Sequence, residues 1–79
     1  VDAAHGISTF YHAEAEICCA MMKHARKTVV AADYSKIGRI AFAKIDALTS
    51  VNCIVTNKKA PALCLKDFKT KGVEVITVN

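Results

Sequence analysis

Apolar positions along this chain change their period several times, and each change marks an element. Over residues 14–27, Ile17, Met21 and Ala25 recur at i, i+4 and i+8, with Cys18 and Met22 beside them. That period predicts a helix with this stripe as its buried face. Glu14 and Glu16 near its start, and Lys23, Arg26 and Lys27 near its end, suit the helix dipole. Residues 28–32, Thr28-Val29-Val30-Ala31-Ala32, then form a short apolar run without alternation. Such a run is expected of a strand buried on both faces of a parallel sheet. Residues 52–56 and 73–78 predict two further strands. Between these, Pro61 suits the first residue of a helix and Gly72 the residue just past its end, with Leu63, Leu65 and Phe68 as the apolar stripe. Residues 39–45 predict a helical turn or two. Residues 1–13, 33–38 and 57–60 read as loops, the first leading into a helix.

Strands alternating with helices of this length imply βαβ units and a parallel sheet, so the fold class is α/β. A chain of 79 residues suits one small domain, and at that size only about 60% of the unfolded surface is buried. The chain starts at Val1 without a Met and ends straight after an apolar run. The expectation is therefore a piece of a larger fold, leaning on missing segments or on a second copy of itself.

Composition narrows the classes further. At 53% hydrophobic the chain is that of a packed globular protein. No run of 18 apolar residues occurs, so no membrane-spanning helix is expected. Cys18 and Cys19 are neighbours, Cys53 and Cys64 sit inside apolar runs, and no C-x-x-C occurs. That is how a reducing cytosol uses cysteine, as a small core hydrophobe, and a cytoplasmic location is expected. The net charge of +4, from 11 Lys and Arg against 7 Asp and Glu, favours anionic partners. The lysines are scattered, however: Lys58-Lys59 is a pair in a loop, and Lys66, Lys69 and Lys71 decorate one predicted helix. A solvated face explains them better than a nucleic-acid patch.

In open parallel sheets, ligands bind beyond the carboxyl ends of the strands. That rule points to the loops at 33–38 and 57–60, of which the first is the richer. It offers the carboxylate of Asp33, the hydroxyl of Ser35, the ammonium of Lys36 and the backbone of Gly38 within six residues. Lys36 suits a phosphate as a point charge, and Asp33 suits the hydroxyls of a sugar. Asp33 or Ser35 serves equally well as a cap for the next helix, and spacing alone leaves the two readings open.

At this loop the sequence also becomes familiar. Val30-Ala31-Ala32-Asp33-Tyr34-Ser35-Lys36-Ile37-Gly38-Arg39 resembles the "ADxSKxGR" signature in the C-terminal domain of DeoR-family repressors. Val1-Asp2-Ala3-Ala4-His5-Gly6-Ile7-Ser8-Thr9 resembles the "GVDxxxGxST" segment of that family, here without its front. Glu14-Ala15-Glu16 through Ala20-Met21-Met22 and Ala25 resembles its "EAExxxAMxxxA" helix. Asn52 to Asn57 resembles its "xxxITD" strand and turn, and Gly72-Val73-Glu74-Val75-Ile76 its usual last strand. Five pieces in the right order, with the right gaps, cover practically the whole chain.

The resemblance implies a fold related to ribose-5-phosphate isomerase and the CoA transferases, a Rossmann-like arrangement of which this chain would be the C-terminal portion. It implies an effector-binding domain of a bacterial transcription repressor, sensing a phosphorylated sugar or polyol. DNA would be read only by an N-terminal helix-turn-helix outside this chain, and a homo-oligomer is implied. Carried over residue by residue, Asp33, Ser35, Lys36 and Gly38 would line the effector site, with Lys36 contacting a phosphate or hydroxyl. Asp2 and Gly6 would belong to a neighbouring ligand loop, and Glu16 resembles a glutamate that the isomerases place near their site. Asn57 departs from the family pattern, where Asp is usual. The resemblance also implies that the upstream half of the sensor domain, with its phosphate-binding glycine and serine loops, lies outside this chain, which would then hold only part of the ligand site.

Rival readings are weaker on the residues present. An isomerase-like enzyme is the first alternative, but Asp2-Ala3-Ala4-His5-Gly6 lacks the carboxylate cluster of the isomerases' "DGADE" stretch, and isomerisation needs a general base beside the sugar carbon. His5, His12 and His24 with Cys18 and Cys19 show no metal-ligand spacing. No cofactor is expected.

Overall fold

The computed structural model describes residues 1–40 and 43–79. Strand β1 (Ile7–Thr9) leads into helix α1 (His12–His24), followed by β2 (Val29–Ala31), a 3-10 turn at Tyr34–Lys36, β3 (Ala43–Asp46) and a second 3-10 turn at Leu48–Ser50. Strand β4 (Cys53–Asn57), helix α2 (Ala62–Thr70) and β5 (Glu74–Val78) complete the order. Three of the strands form a parallel sheet in the order β2-β4-β5, and β1 pairs separately with β3, antiparallel. The architecture is mixed α/β, as the alternation of elements predicts.

Central strand β4 carries the register. Ile54 pairs with Val30 on one side and with Val75 on the other. Its side chain is fully buried, as is that of Phe68 on α2. Around these two gather Ile7, Ile37, Leu48, Val51, Ala60 and Val73, with Val30 of β2, Ile45 of β3 and Val75 of β5 packed against them. Helix α1 reaches that core at its edge through Met22, and packs chiefly on β1 and β3.

Helix α2 ends as its sequence predicts. Gly72 has a positive φ of 84°, which costs a glycine nothing. The N–H of Val73 donates to the carbonyl of Phe68 at 3.1 Å and that of Gly72 to the carbonyl of Lys69 at 3.0 Å. This Schellman pair caps the helix and delivers Val73 into the core beside Phe68. Pro61 stands one residue before the first helical turn, a shift within the usual latitude of helix ends.

Several expectations are corrected. Residues 7–9, predicted as loop, are a strand. Part of residues 39–45 is strand β3 rather than a helical turn; residues 41 and 42 lie outside the described residues. The segment Ala43-Lys44-Ile45-Asp46 alternates apolar and polar, the period of a half-buried strand, and β1 supplies its partner.

Helix α1 starts two residues earlier and ends three earlier than predicted, and it turns a different face inward. Ile17 and Met21 are 62% and 66% exposed, while Ala15 is buried and Cys18, Cys19 and Met22 are half-buried. The helix is apolar nearly all round between 17 and 22, so periodicity alone could not choose the face. On α2 the stripe is Cys64, Leu65 and Phe68, with Leu63 77% exposed.

Strand β2 lies at a sheet edge with Val29 53% exposed, not buried on both faces. On one face of the parallel sheet the edge-strand residues Val29, Ala31, Ile76 and Val78 are exposed, while Cys53 of the central strand on that face is buried. The four cysteines are free thiols; Cys53 is buried and the other three are half-buried.

Phe68→Ala is expected to cost about 3–5 kcal/mol, a large share of the stability of so small a domain, seen as a loss or steep fall of the urea midpoint. Thr56 is buried, and its hydroxyl has no hydrogen-bond partner among the described residues. Thr56→Val should therefore raise the midpoint, by about 1 kcal/mol; an unchanged or lowered midpoint would show that the hydroxyl is satisfied in solution. Gly6, at φ 76°, lies so close to β3 that a Cβ would collide with the carbonyl oxygen of Asp46. Gly6→Ala should accordingly disrupt the β1–β3 pair, read as faster amide exchange at Ser8 and Thr9.

Candidate functional site

A parallel sheet places all its carboxyl ends on one edge. Here β2 runs out into Asp33, β4 into Lys58 and β5 into Asn79. The ladder holds to the last rung: the N–H of Ala32 donates to the carbonyl of Val55 at 3.0 Å, and that of Lys58 to the carbonyl of Val78 at 2.8 Å. The loops leaving this edge are thus fixed at their roots.

Loop 33–38 is shaped by its own side chains. The Asp33 carboxylate caps the 3-10 turn, accepting from the backbone N–H of Ser35 at 2.9 Å and from the Ser35 hydroxyl. These bonds favour the ionised form, with the Ser35 hydroxyl contributing most and the charge of Lys36 least, and they hold the carboxyl below its ordinary range. The capping alternative for Asp33 is therefore present in the structure. Ile37, buried, anchors the loop in the core. Gly38 abuts α2, where an added Cβ would stand 3.0 Å from the Cys64 sulfur.

The neighbouring turn at residues 1–6 is brought against this loop. The N–H of Gly38 donates to the carbonyl of Val1 at 2.6 Å. Within the turn, Asp2 and Gly6 exchange backbone hydrogen bonds of 2.9 and 2.7 Å. The Asp2 carboxylate accepts from the N–H groups of Ala4 (3.0 Å) and His5 (2.9 Å) and contacts the His5 ring at 2.8 Å. The bond from the His5 ring is the main cause that depresses the Asp2 pKa below its ordinary 3.8. All six residues singled out in the sequence therefore lie in two adjoining segments. Glu16 is apart from them, exposed on α1.

A cavity of about 390 Å³ opens at the carboxyl edge, lined by Tyr34, Asn57, Lys58, Lys59 and Asn79. Asp33 and Ser35 flank Tyr34 without lining it. Asn57, half-buried at the end of β4, ties the two loops together by accepting the Tyr34 N–H at 3.1 Å through its Oδ1. Lys59 carries its ammonium 5.7 Å from the centre of the Tyr34 ring, within cation–π reach. Sequence reasoning reached the 57–60 loop through the strand-end rule but did not single out Tyr34, Lys58 or Lys59, whose signal was their place beside strand ends. A second groove, of about 410 Å³, lies between α1 and the amino end of β2 and is lined largely by apolar groups such as Met21, Met22, Val29 and Ile45.

Among the described residues no cluster of His, Cys, Asp and Glu is arranged to hold a metal ion, and no helix is long and apolar enough to cross a membrane.

The chain matches the family described as the DeoR C terminal sensor domain over residues 1–58, nearly three quarters of its length. No curated protein and no solved structure matches it.

The Asp2 bonds set a pH dependence. A depressed carboxyl stabilises the fold fully above its unfolded value and loses that contribution as the pH falls through its folded value. The Ala4 and His5 amide resonances should therefore titrate together below pH 3.8, and Asp2→Asn should abolish that step. Asn57→Ala should cost about 1 kcal/mol and speed exchange of the Tyr34 amide; protection equal to wild type would show that the bridge is not made.

Proposed function

The chain belongs to the DeoR C-terminal sensor domain family, and from that premise we propose that it binds a phosphorylated sugar or polyol at the carboxyl edge of its parallel sheet. A domain of this family is regulatory, with a ligand-sensing role in a DeoR-type regulator. The observation that carries the finer reading is the convergence at one edge of the 33–38 loop with the ends of β4 and β5, the 1–6 turn being bonded to the far end of that loop at Gly38.

In this reading Lys36 meets a phosphate or hydroxyl oxygen of the effector, and Ser35, Gly38 and the capped Asp33 present polar groups to its hydroxyls. Asp2 and Gly6 shape the adjoining turn. Occupancy passes to a DNA-binding domain elsewhere in a cytoplasmic bacterial repressor, where this domain forms the C-terminal portion of the sensor in a homo-oligomer. A ligand shifts such a two-state regulator only by its differential affinity for the two states. The short hydrogen-bonded links among loop 33–38, the 1–6 turn and Asn57 are a route by which ligand contact would stiffen the edge.

Amide NMR titration of the protein with phosphorylated sugars and their unphosphorylated counterparts tests the reading. Saturable shifts at the carboxyl edge with the phosphorylated set alone are expected. Lys36→Ala should weaken that binding by about tenfold, the loss of one charge-assisted contact. Equal response to both sets, or shifts confined to the apolar groove beside α1, would sink the assignment.

A further inference from the structure

The parallel sheet ends on two unlike edges. Strand β2, on one side, is three residues long. Strand β5, on the other, runs five residues in unbroken register with β4 and has no partner on its outer side among the described residues. Natural edge strands are blunted by brevity, by a bulge, by proline or by a lysine on the strand. Glu74-Val75-Ile76-Thr77-Val78 has none of these.

The ladder to β4 fixes which groups are left over. The Glu74 N–H donates to the carbonyl of Asn52 at 3.1 Å, and the Val78 carbonyl accepts from the Lys58 N–H at 2.8 Å. Successive residues of a strand point their polar groups to opposite sides, so 74, 76 and 78 turn theirs to β4. Val75 and Thr77 therefore hold their N–H and C=O groups outward. The side chains alternate as well: Val75 packs toward the core, while Ile76 and Val78 lie on the face away from Ile54, 44% and 48% exposed.

This edge is its own complement. A second copy, turned about a two-fold axis that passes through Ile76 perpendicular to the sheet, runs antiparallel to the first. Val75 then faces the partner's Thr77, and each such pair exchanges both of its N–H···O bonds. Ile76 meets the partner's Ile76 at the axis in the closely spaced position, Cβ atoms about 5 Å apart, and both lose exposed apolar surface. Glu74, the only charged residue of β5, comes beside the partner's Val78, roughly 10 Å (two strand spacings) from the backbone of its Lys58-Lys59 turn. Parallel order would instead set Glu74 against its own copy, which like charges disfavour. A foreign strand needs only to be extended, whereas the symmetry of the outward groups about Ile76 and the placement of Glu74 select a second copy. The contact is isologous and closes at two.

We propose that two copies of this chain join through β5, antiparallel about Ile76, so that their three-stranded sheets become one. The assignment does not depend on the effector reading. On the opposite face Lys66 and Lys69 line a groove beside Thr77, so lysines of both copies flank the axis and added salt tightens the pair by screening them.

Sedimentation over a concentration series reaching the millimolar range tests the proposal, with amide exchange followed by NMR at Val75 and Thr77. A monomer–dimer equilibrium is expected, in which protection of those two amides rises with concentration. A mixture of labelled and unlabelled protein should show methyl contacts between Ile76 of one copy and Ile76 of the other. Thr77→Pro removes an outward donor without touching the bonds to β4, and Ile76→Lys opposes two ammonium groups at the axis. Each should raise the dissociation constant about tenfold or more. The exposed Ile76 position lets the lysine variant fold, checked by its melting temperature when dilute, even where the proline variant does not. A chain that stays monomeric at millimolar concentration overturns the proposal. So does a dimer that survives Ile76→Lys undiminished, which would place the contact on another surface, such as that of Ile17 and Met21. Protection of Val75 and Thr77 that is independent of concentration overturns it too, because the chain would then be covering its own edge.

Discussion

Everything in this small domain depends on β4 being hydrogen-bonded along both edges and buried at its centre. Its N–H and C=O groups are satisfied only if β2 and β5 lie alongside in parallel register, because an unpaired polar group in the core would cost more than a surface contact returns. Parallel neighbours in turn require a crossover, which α2 provides between β4 and β5. The helix stays on the sheet because Phe68 is buried against the Ile54 layer and because the Gly72 cap turns the chain straight into the core at Val73.

The same constraint builds the candidate edge. Once three strands run in one direction, their outgoing loops must share one side of the sheet, however far apart they are in sequence. Asn57 makes that proximity specific, since its side chain reaches from the end of β4 to the backbone of the loop after β2. An aspartate there would accept the same hydrogen bond but set a negative charge in the cavity beside Lys58 and Lys59. The amide keeps the bridge and leaves the field positive. Asp33, the nearest carboxylate in the opposing loop, is engaged in capping its own 3-10 turn.

The domain also presents apolar surface of a kind usually covered. Ile17 and Met21 on α1, Val29 on β2, and Ile76 and Val78 on β5 are exposed. Parallel sheets are ordinarily packed on both faces, and here the edge strands of one face are exposed while Cys53 at its centre is buried. The sensor family to which the chain belongs is regulatory. Val29 lies at the amino end of β2, away from the cationic edge, whereas Val78 adjoins that edge, its carbonyl accepting from the Lys58 N–H.

The sequence by itself determined the elements whose signals are local. Runs of β-branched residues marked β4 and β5, Pro61 and Gly72 bracketed α2, and the Asp33-Tyr34-Ser35-Lys36 loop stood out because strand ends in parallel sheets carry ligands. It could also offer Asp33 as a cap, since Asp-x-Ser is a local pattern with a local partner. Tertiary structure decided what depends on partners distant in the chain. β1 and β3 pair outside the parallel sheet, and each exists because it supplies the hydrogen bonds of the other. The inward face of α1 was chosen by the β1–β3 pair, since a helix apolar nearly all round has no preferred face of its own. The cavity of Tyr34, Lys58 and Lys59 joins residues more than 20 positions apart, and only the parallel register of β2 on β4 sets them side by side.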